Sequence, residues 1–152
     1  MLKEGHHAPN FTLPSNRGVD IALESLRDKK IILYFYPKDS TPGCTVEARD
    51  FETLKKDFQL CNTVVIGVSK DSISSHNRFA TKENLSFDLL ADESKEVCQK
   101  YGVWVEKSRY GKKYMGVNRT TFFIDEYGII KKVWHNVSVA GHAAEVLKHI
   151  RS

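Results

Sequence analysis

Cysteine is scarce in this chain. Three stand among 152 residues, Cys44, Cys61 and Cys98, an odd number at wide spacing. That excludes the disulfide framework of a small secreted domain, and the close Cys or His pairs of a zinc site are missing. Long apolar runs are missing too. Nothing approaches the roughly 20 residues needed to span a bilayer, and the opening MLKEGHHAPNF has no apolar signal-peptide core. Neither sign of charge dominates, with 23 Lys and Arg scattered against 19 Asp and Glu. Neither nucleic acid nor a membrane is therefore an expected partner. No internal repeat, low-complexity tract or linker divides the chain. These absences leave one domain over residues 1–152, expected to be cytoplasmic and monomeric and able to bury a core without staples.

Two local exceptions are weaker than they look. KSRYGKKY, Lys107 to Tyr114, is basic with two interleaved tyrosines, but reads as a solvated loop rather than a nucleic-acid patch. His6 and His7 are adjacent, and neighbouring side chains in an extended segment point opposite ways. A solvated terminus accounts for them, and no metal or organic cofactor is expected.

What is present is an alternation of strands and helices. NFTLP and VDIAL read as short strands around the turn SNRG. KKIILYFYP and NTVVIGVS are continuous β-rich apolar runs, the mark of strands covered on both faces. Between them Pro42 to Phe58 reads as one helix, with Val46, Phe51, Leu54 and Phe58 facing the core. A helix near Ile73 to Asn84, a strand in SFDLLAD and a short helix in SKEVCQKYG follow. RTTFFIDEYGIIKKVWH is a hairpin around Asp125 to Gly128, and GHAAEVLKHIRS is a terminal helix. The order predicts an α/β fold: a mixed central sheet with helices on both faces.

Among these elements one cysteine is conspicuous. Cys44 follows Thr41, Pro42 and Gly43 where the first long apolar run gives way to helix, beyond the carboxyl end of a central strand. Thr is a favoured N-cap and Pro a favoured first helical residue, so Cys44 falls at the third helical position. Free N–H groups and the helix dipole favour an anion there. A helix start supplies only ~0.3–1 kcal/mol, too little to ionise an ordinary thiol at neutral pH, so a cation is required. Arg49 is five residues on, about 140° around the helix, and faces away. Arg119, at the start of RTTFFID, can approach from the side and is the preferred partner. Glu47, one turn from Cys44, either braces Arg119 or stays solvated. A phosphatase loop needs five residues between Cys and Arg, and only four lie between Cys44 and Arg49.

Pro37, Thr41 and Cys44 together match Pro-x-x-x-Thr-x-x-Cys, and the chain resembles the peroxiredoxins, in particular the bacterioferritin-comigratory (PrxQ) branch. The similarity runs through APNFTLP, LYFYPKDSTPGCTVEARDF, VVIGVS, YGVWVEKSRYGKKYMGVNRTTFFID and GHAAEVL. It implies a thioredoxin-like fold and thiol-dependent reduction of hydrogen peroxide and organic hydroperoxides. By position it implies Cys44 as the peroxidatic nucleophile, Thr41 orienting the peroxide, Arg119 stabilising thiolate and transition state, and Pro37 shielding the sulfur. Many members of the branch keep a resolving cysteine five residues on, where this chain has Arg49. Resolution then falls to Cys98, to Cys61, or to an external thiol from thioredoxin, glutaredoxin or a small molecule. A catalytically silent thioredoxin-fold binding protein is the alternative from another class.

Overall fold

The structure, a computed structural model, describes residues 2–152. Two short strands, β1 (Thr12–Pro14) and β2 (Asp20–Ala22), pair antiparallel ahead of a single 3-10 turn at Leu23–Leu26. The run Lys30–Phe35 forms β3, buried at every position after the first. Helix α1 (Pro42–Thr53) and helix α2 (Lys55–Leu60) follow, then β4 (Thr63–Ser69). Helix α3 (Ile73–Glu83) starts at Ser72, whose Oγ accepts the Ser75 N–H, and stops at Asn84 in the left-handed region. Next come β5 (Asp88–Ala91), the five-residue α4 (Glu96–Lys100), and the paired strands β6 (Trp104–Arg109) and β7 (Lys112–Val117). Strands β8 (Thr120–Ile124) and β9 (Ile130–Trp134) and helix α5 (His142–Arg151) complete the chain.

Five strands form the central sheet in the order β5-β4-β3-β8-β9. The first three run parallel, and β8 and β9 are antiparallel to their neighbours, so the expected mixed sheet is present. Alternation along β3 sorts the two cores. Ile31, Leu33 and Phe35 face a cluster with Val97, Cys98 and Tyr101 of the α4 region and with Phe11 and Leu13. Ile32, Tyr34 and Tyr36 face the cluster built on α1, α3 and α5, which includes Cys44, Phe51, Phe79 and Val146. Helices therefore cover both faces. Because β8 opposes β3, its first residues lie at the same end of the sheet as the last residues of β3, with Phe35 opposite Thr120.

Three sequence expectations need correction. The helix predicted over Pro42 to Phe58 is two helices, broken at Leu54 (φ −96°, ψ 5°). Val46, predicted to face the core, is 45% exposed. The buried stripe of α1 is Cys44, Glu47, Ala48 and Phe51, at the i, i+3, i+4, i+7 spacing that puts Val46 on the opposite side. The segment read as a solvated loop, Lys107 to Tyr114, is instead the tip of the β6–β7 hairpin. Tyr110 (φ 52°) and Gly111 (φ 78°) form its two-residue turn, whose positive φ values match the twist of the strands.

Candidate active site

Cys44 lies in the first turn of α1 and is 1% exposed. Arg119, immediately before β8, reaches it across the sheet: Nη2 donates to Cys44 Sγ at 3.3 Å. The other arm, Nη1, donates to Glu47 Oε1 at 2.6 Å. One guanidinium thus bridges two side chains on the buried stripe of a single helix. Nη2 also lies 3.4 Å from where a Cβ on Gly43 would stand, so a longer side chain there would compete with Arg119 for its place.

Of the two roles open to Glu47, bracing Arg119 is the one the structure shows. Its carboxyl is 1% exposed. Burial pushes its pKa up to about 7, against the opposing pull of the Arg119 guanidinium. Burial acts against the charge on Arg119 as well, but contact with Glu47 and Cys44 outweighs it and holds the guanidinium above its ordinary range. Glu47 Oε2 and the Tyr34 hydroxyl are buried without hydrogen-bond partners among the described residues.

Thr41 occupies the N-cap position with extended backbone, as the sequence predicts, yet its side chain makes no capping bond. The hydroxyl donates backwards to the Lys38 carbonyl at 2.9 Å, leaving its oxygen lone pairs open. The cap residue's carbonyl instead accepts both the Thr45 N–H at 2.9 Å and the Thr45 hydroxyl at 2.8 Å. Pro37 is half-buried where the chain leaves β3, and its carbonyl accepts from Lys70 Nζ at 2.9 Å.

A buried polar network beneath this loop had no counterpart in the sequence reading. Asp39 is 7% exposed and His76, from α3, is fully buried. His76 Nδ1 lies 2.7 Å from Asp39 Oδ2 and Nε2 lies 3.0 Å from the Leu90 carbonyl. Tyr36 donates to Asp39 Oδ1 at 2.6 Å and Ser75 donates to Oδ2 at 2.8 Å. The Asp39 N–H donates to Asp71 Oδ2 at 2.9 Å, an oxygen that also accepts from Ser69 Oγ at 2.6 Å. Asp39 and His76, 37 residues apart, leave no local pattern. Both stand in polar stretches, PKDST and SSHNR, where an acid and a histidine are ordinary.

The remaining candidates are not gathered at Cys44. Arg49 is on the exposed side of α1, 3.8 Å from Glu83 of α3, as the helical count predicts. Cys61 ends α2 just before β4, at the pole opposite the end of β3. Cys98 is packed in the core on the other face of the sheet from Cys44. Its N–H donates to Asp92 Oδ2 at 2.8 Å, and burial together with that carboxylate pushes its thiol pKa far up.

The AhpC/TSA family matches residues 5–133. A putative peroxiredoxin bcp from Coxiella burnetii is 51% identical over 146 residues, covering 96% of this chain and 97% of its own. Peroxiredoxin Bcp of Bacillus subtilis is 43% identical over 150 residues, covering 99% and 96%. Among solved structures, a cysteine-to-serine mutant of Xylella fastidiosa PrxQ superposes with a TM-score of 0.95 at 34% identity, over 99% of this chain and 96% of that one. The bacterioferritin comigratory protein of Xanthomonas campestris, studied in trapped intermediate and ligand complexes for its alkyl peroxide reduction, gives 0.89 at 37% identity, over 93% and 90%.

Proposed function

The chain belongs to the AhpC/TSA family, in its bacterioferritin-comigratory (PrxQ) peroxiredoxin branch, and from that premise we propose that Cys44 is the sulfur at which it reduces peroxides. Membership makes it a thiol-dependent peroxidase of thioredoxin-like fold, consuming a peroxide and a thiol reductant. The observation that carries the residue assignment is the Arg119 Nη2 contact to Cys44 Sγ at 3.3 Å, at a helix start. A silent binding protein would have no use for a guanidinium bonded to a buried sulfur.

In this reading the Cys44 thiolate attacks the hydrogen-bearing oxygen of the hydroperoxide. An S–O bond forms as the O–O bond breaks, and the electron pair leaves on the alkoxide or hydroxide. That anion takes a proton from water, and Cys44 is left as the sulfenic acid. Arg119 and the first-turn N–H groups of Gly43 and Cys44 meet the developing negative charge. The Thr41 oxygen, with its own proton committed to Lys38, accepts the peroxide O–H and orients it. Pro37 limits access of water to the sulfur. Hydrogen peroxide and organic hydroperoxides both fit, and the Xanthomonas relative is described for alkyl peroxides.

An external thiol then resolves the sulfenic acid. It displaces water to form a mixed disulfide with Cys44, and a second thiol releases the reduced enzyme. Support comes from Arg49 in place of a nearby cysteine and from the burial of Cys98 in the opposite core. Thioredoxin, glutaredoxin or a small thiol meets the requirement. The three cysteines are all unpaired, which fits a reducing cytoplasm. Thr41, Cys44, Glu47 and Arg119 all come from one chain, which fits residues 1–152 acting as one domain and as a monomer. Stopped-flow oxidation tests the assignment. Cys44→Ser should abolish peroxide consumption while Cys61→Ser retains it, and rapid turnover by the Cys44→Ser protein would end this reading.

A further inference from the structure

The segment from Pro37 to Thr41 supplies two proposed site residues, yet it lies in neither helix nor strand. Its conformation is not one the chain adopts by preference, since Ser40 sits at φ 62°. A non-glycine residue held in the left-handed region persists where its surroundings over-determine it. The surroundings here are the bonds of Asp39. Its N–H and both carboxylate oxygens are engaged by Asp71, Ser75 and His76, from the β4 and α3 side of the fold, and by Tyr36 just after β3.

Both ring nitrogens of His76 are engaged: Nδ1 lies 2.7 Å from Asp39 Oδ2 and 3.3 Å from the Tyr36 hydroxyl, and Nε2 lies 3.0 Å from the Leu90 carbonyl. Burial works to raise the Asp39 carboxyl pKa, and the bonds from His76, Tyr36 and Ser75 overcome it and hold it below the ordinary range. Asp39, Asp71 and His76 are also close enough to share a cation. Their facing atoms are already hydrogen-bonded to one another or to protein groups, so the cluster reads as a closed network. Buried charged pairs are weak sources of net stability, and one use for them is to specify a single arrangement. The arrangement specified here is that of the loop entering α1.

We propose that the buried His76–Asp39 pair is a positioning element of the peroxidase site, clamping the Pro37–Thr41 loop so that Thr41 presents the peroxide in line with Cys44 Sγ. This rests on Cys44 as nucleophile and assigns His76 no contact with the substrate. The clamp acts on alignment and makes no bond to the sulfur, so its loss does not block access to Cys44. Loss of the clamp should therefore slow reaction with peroxide, which must be oriented, and spare reaction with iodoacetamide, which needs only an accessible thiolate.

Asp39→Asn, His76→Gln and Ser75→Ala in the full chain provide the test, each followed by stopped flow with hydrogen peroxide and by alkylation with iodoacetamide. A misplacement of about 1 Å can cost up to 10²-fold, so the first two should lose roughly 10–100-fold in the peroxide rate. Ser75→Ala, which deletes one bond to Asp39, should lose about 2–5-fold, and all three should alkylate at Cys44, read by peptide mapping, at no less than about half the parent rate. Asp39→Asn/His76→Gln should lose no more than the worse single variant, because the pair acts as a unit. A parallel fall of both rates, additive losses, or an unchanged peroxide rate overturns the proposal. If the two clamp variants fail to fold, Ser75→Ala decides alone, and an unchanged peroxide rate there overturns it. Peroxide turnover by Cys44→Ser would instead remove the underlying reading, so the two failures are distinguishable.

Discussion

Glu47→Gln should unmask a pH dependence that the parent protein conceals. Glu47 and His142 are both almost fully buried, and burial moves them in opposite directions. The Glu47 carboxyl is raised from 4.5 to about 7. His142, whose Nε2 is 2.8 Å from Thr121 Oγ1, is lowered from 6.5 to about 4. Between pH 4.5 and 7 the folded chain holds a proton on Glu47 that the unfolded chain has released, so this group lowers stability as pH rises. Between pH 4 and 6.5 the unfolded chain binds a proton on His142 that the folded chain refuses, so this group raises stability as pH rises. At 1.36 kcal/mol per pH unit each amounts to roughly 3 kcal/mol, and the two nearly cancel. With Gln at position 47 the cancellation is lost. Relative to the parent, the variant should gain roughly 3 kcal/mol between pH 4.5 and about pH 8. At an m-value of about 2 kcal/mol/M that is about 1.5 M in the urea midpoint. Urea titrations followed by the fluorescence of Trp104 and Trp134, under reducing conditions, read this directly. His142→Gln should show the opposite slope. Parallel midpoints for parent and Glu47→Gln across the whole range would refute burial as the force acting on this carboxyl.

Other expectations are simpler. Arg119→Ala should slow oxidation of Cys44 by about 10²–10³-fold, whereas Arg49→Ala, on the exposed side of α1, should stay within about 2-fold. Stopped flow on both variants checks the order, and the reverse ranking would reject Arg119. A Cβ at Gly67 would stand 2.9 Å from Leu89 Cδ2 and from Tyr34 Cζ and Oη. Gly67→Ala should therefore cost about 1–3 kcal/mol in denaturant unfolding. Peroxide added without reductant should leave a sulfenic acid that dimedone traps over time. Immediate formation of a Cys44–Cys98 disulfide instead would identify Cys98 as the resolver and reject the external thiol.

The features legible in the sequence were those written into one segment. Thr41-Pro42-Gly43-Cys44 announces a helix start, and the runs that became β3 and β4 announce buried strands, because cap chemistry and apolar continuity are local. Arg119 could be chosen over Arg49 because helical geometry excluded the nearer arginine. Glu47 was ambiguous for a physical reason: its spacing from Cys44 puts it on the buried stripe, while its charge argues for solvent. Arg119 resolves the conflict, and that contact spans 72 residues. The break at Leu54 carries no proline or glycine to mark it. The β6–β7 hairpin hid behind its composition, since its charged side chains are those of a strand pair largely open to solvent.

The ladder between β3 and β8 sets where this chain can change length. Phe35 pairs with Thr120, so the cysteine's loop and the arginine leave adjacent strands at matched positions. A two-residue slip would keep every apolar side chain on its own face, yet carry Arg119 about 7 Å along the strand, out of reach of the sulfur. Insertions within 31–35 or 120–124 should thus be silent for packing only in even numbers and for chemistry in none. The tips at Tyr110–Gly111 and Tyr127–Gly128 stand outside that ladder. Grafted peptides, affinity tags or a second domain belong there, where added chain leaves the spacing of β3 and β8, and so of Cys44 and Arg119, untouched.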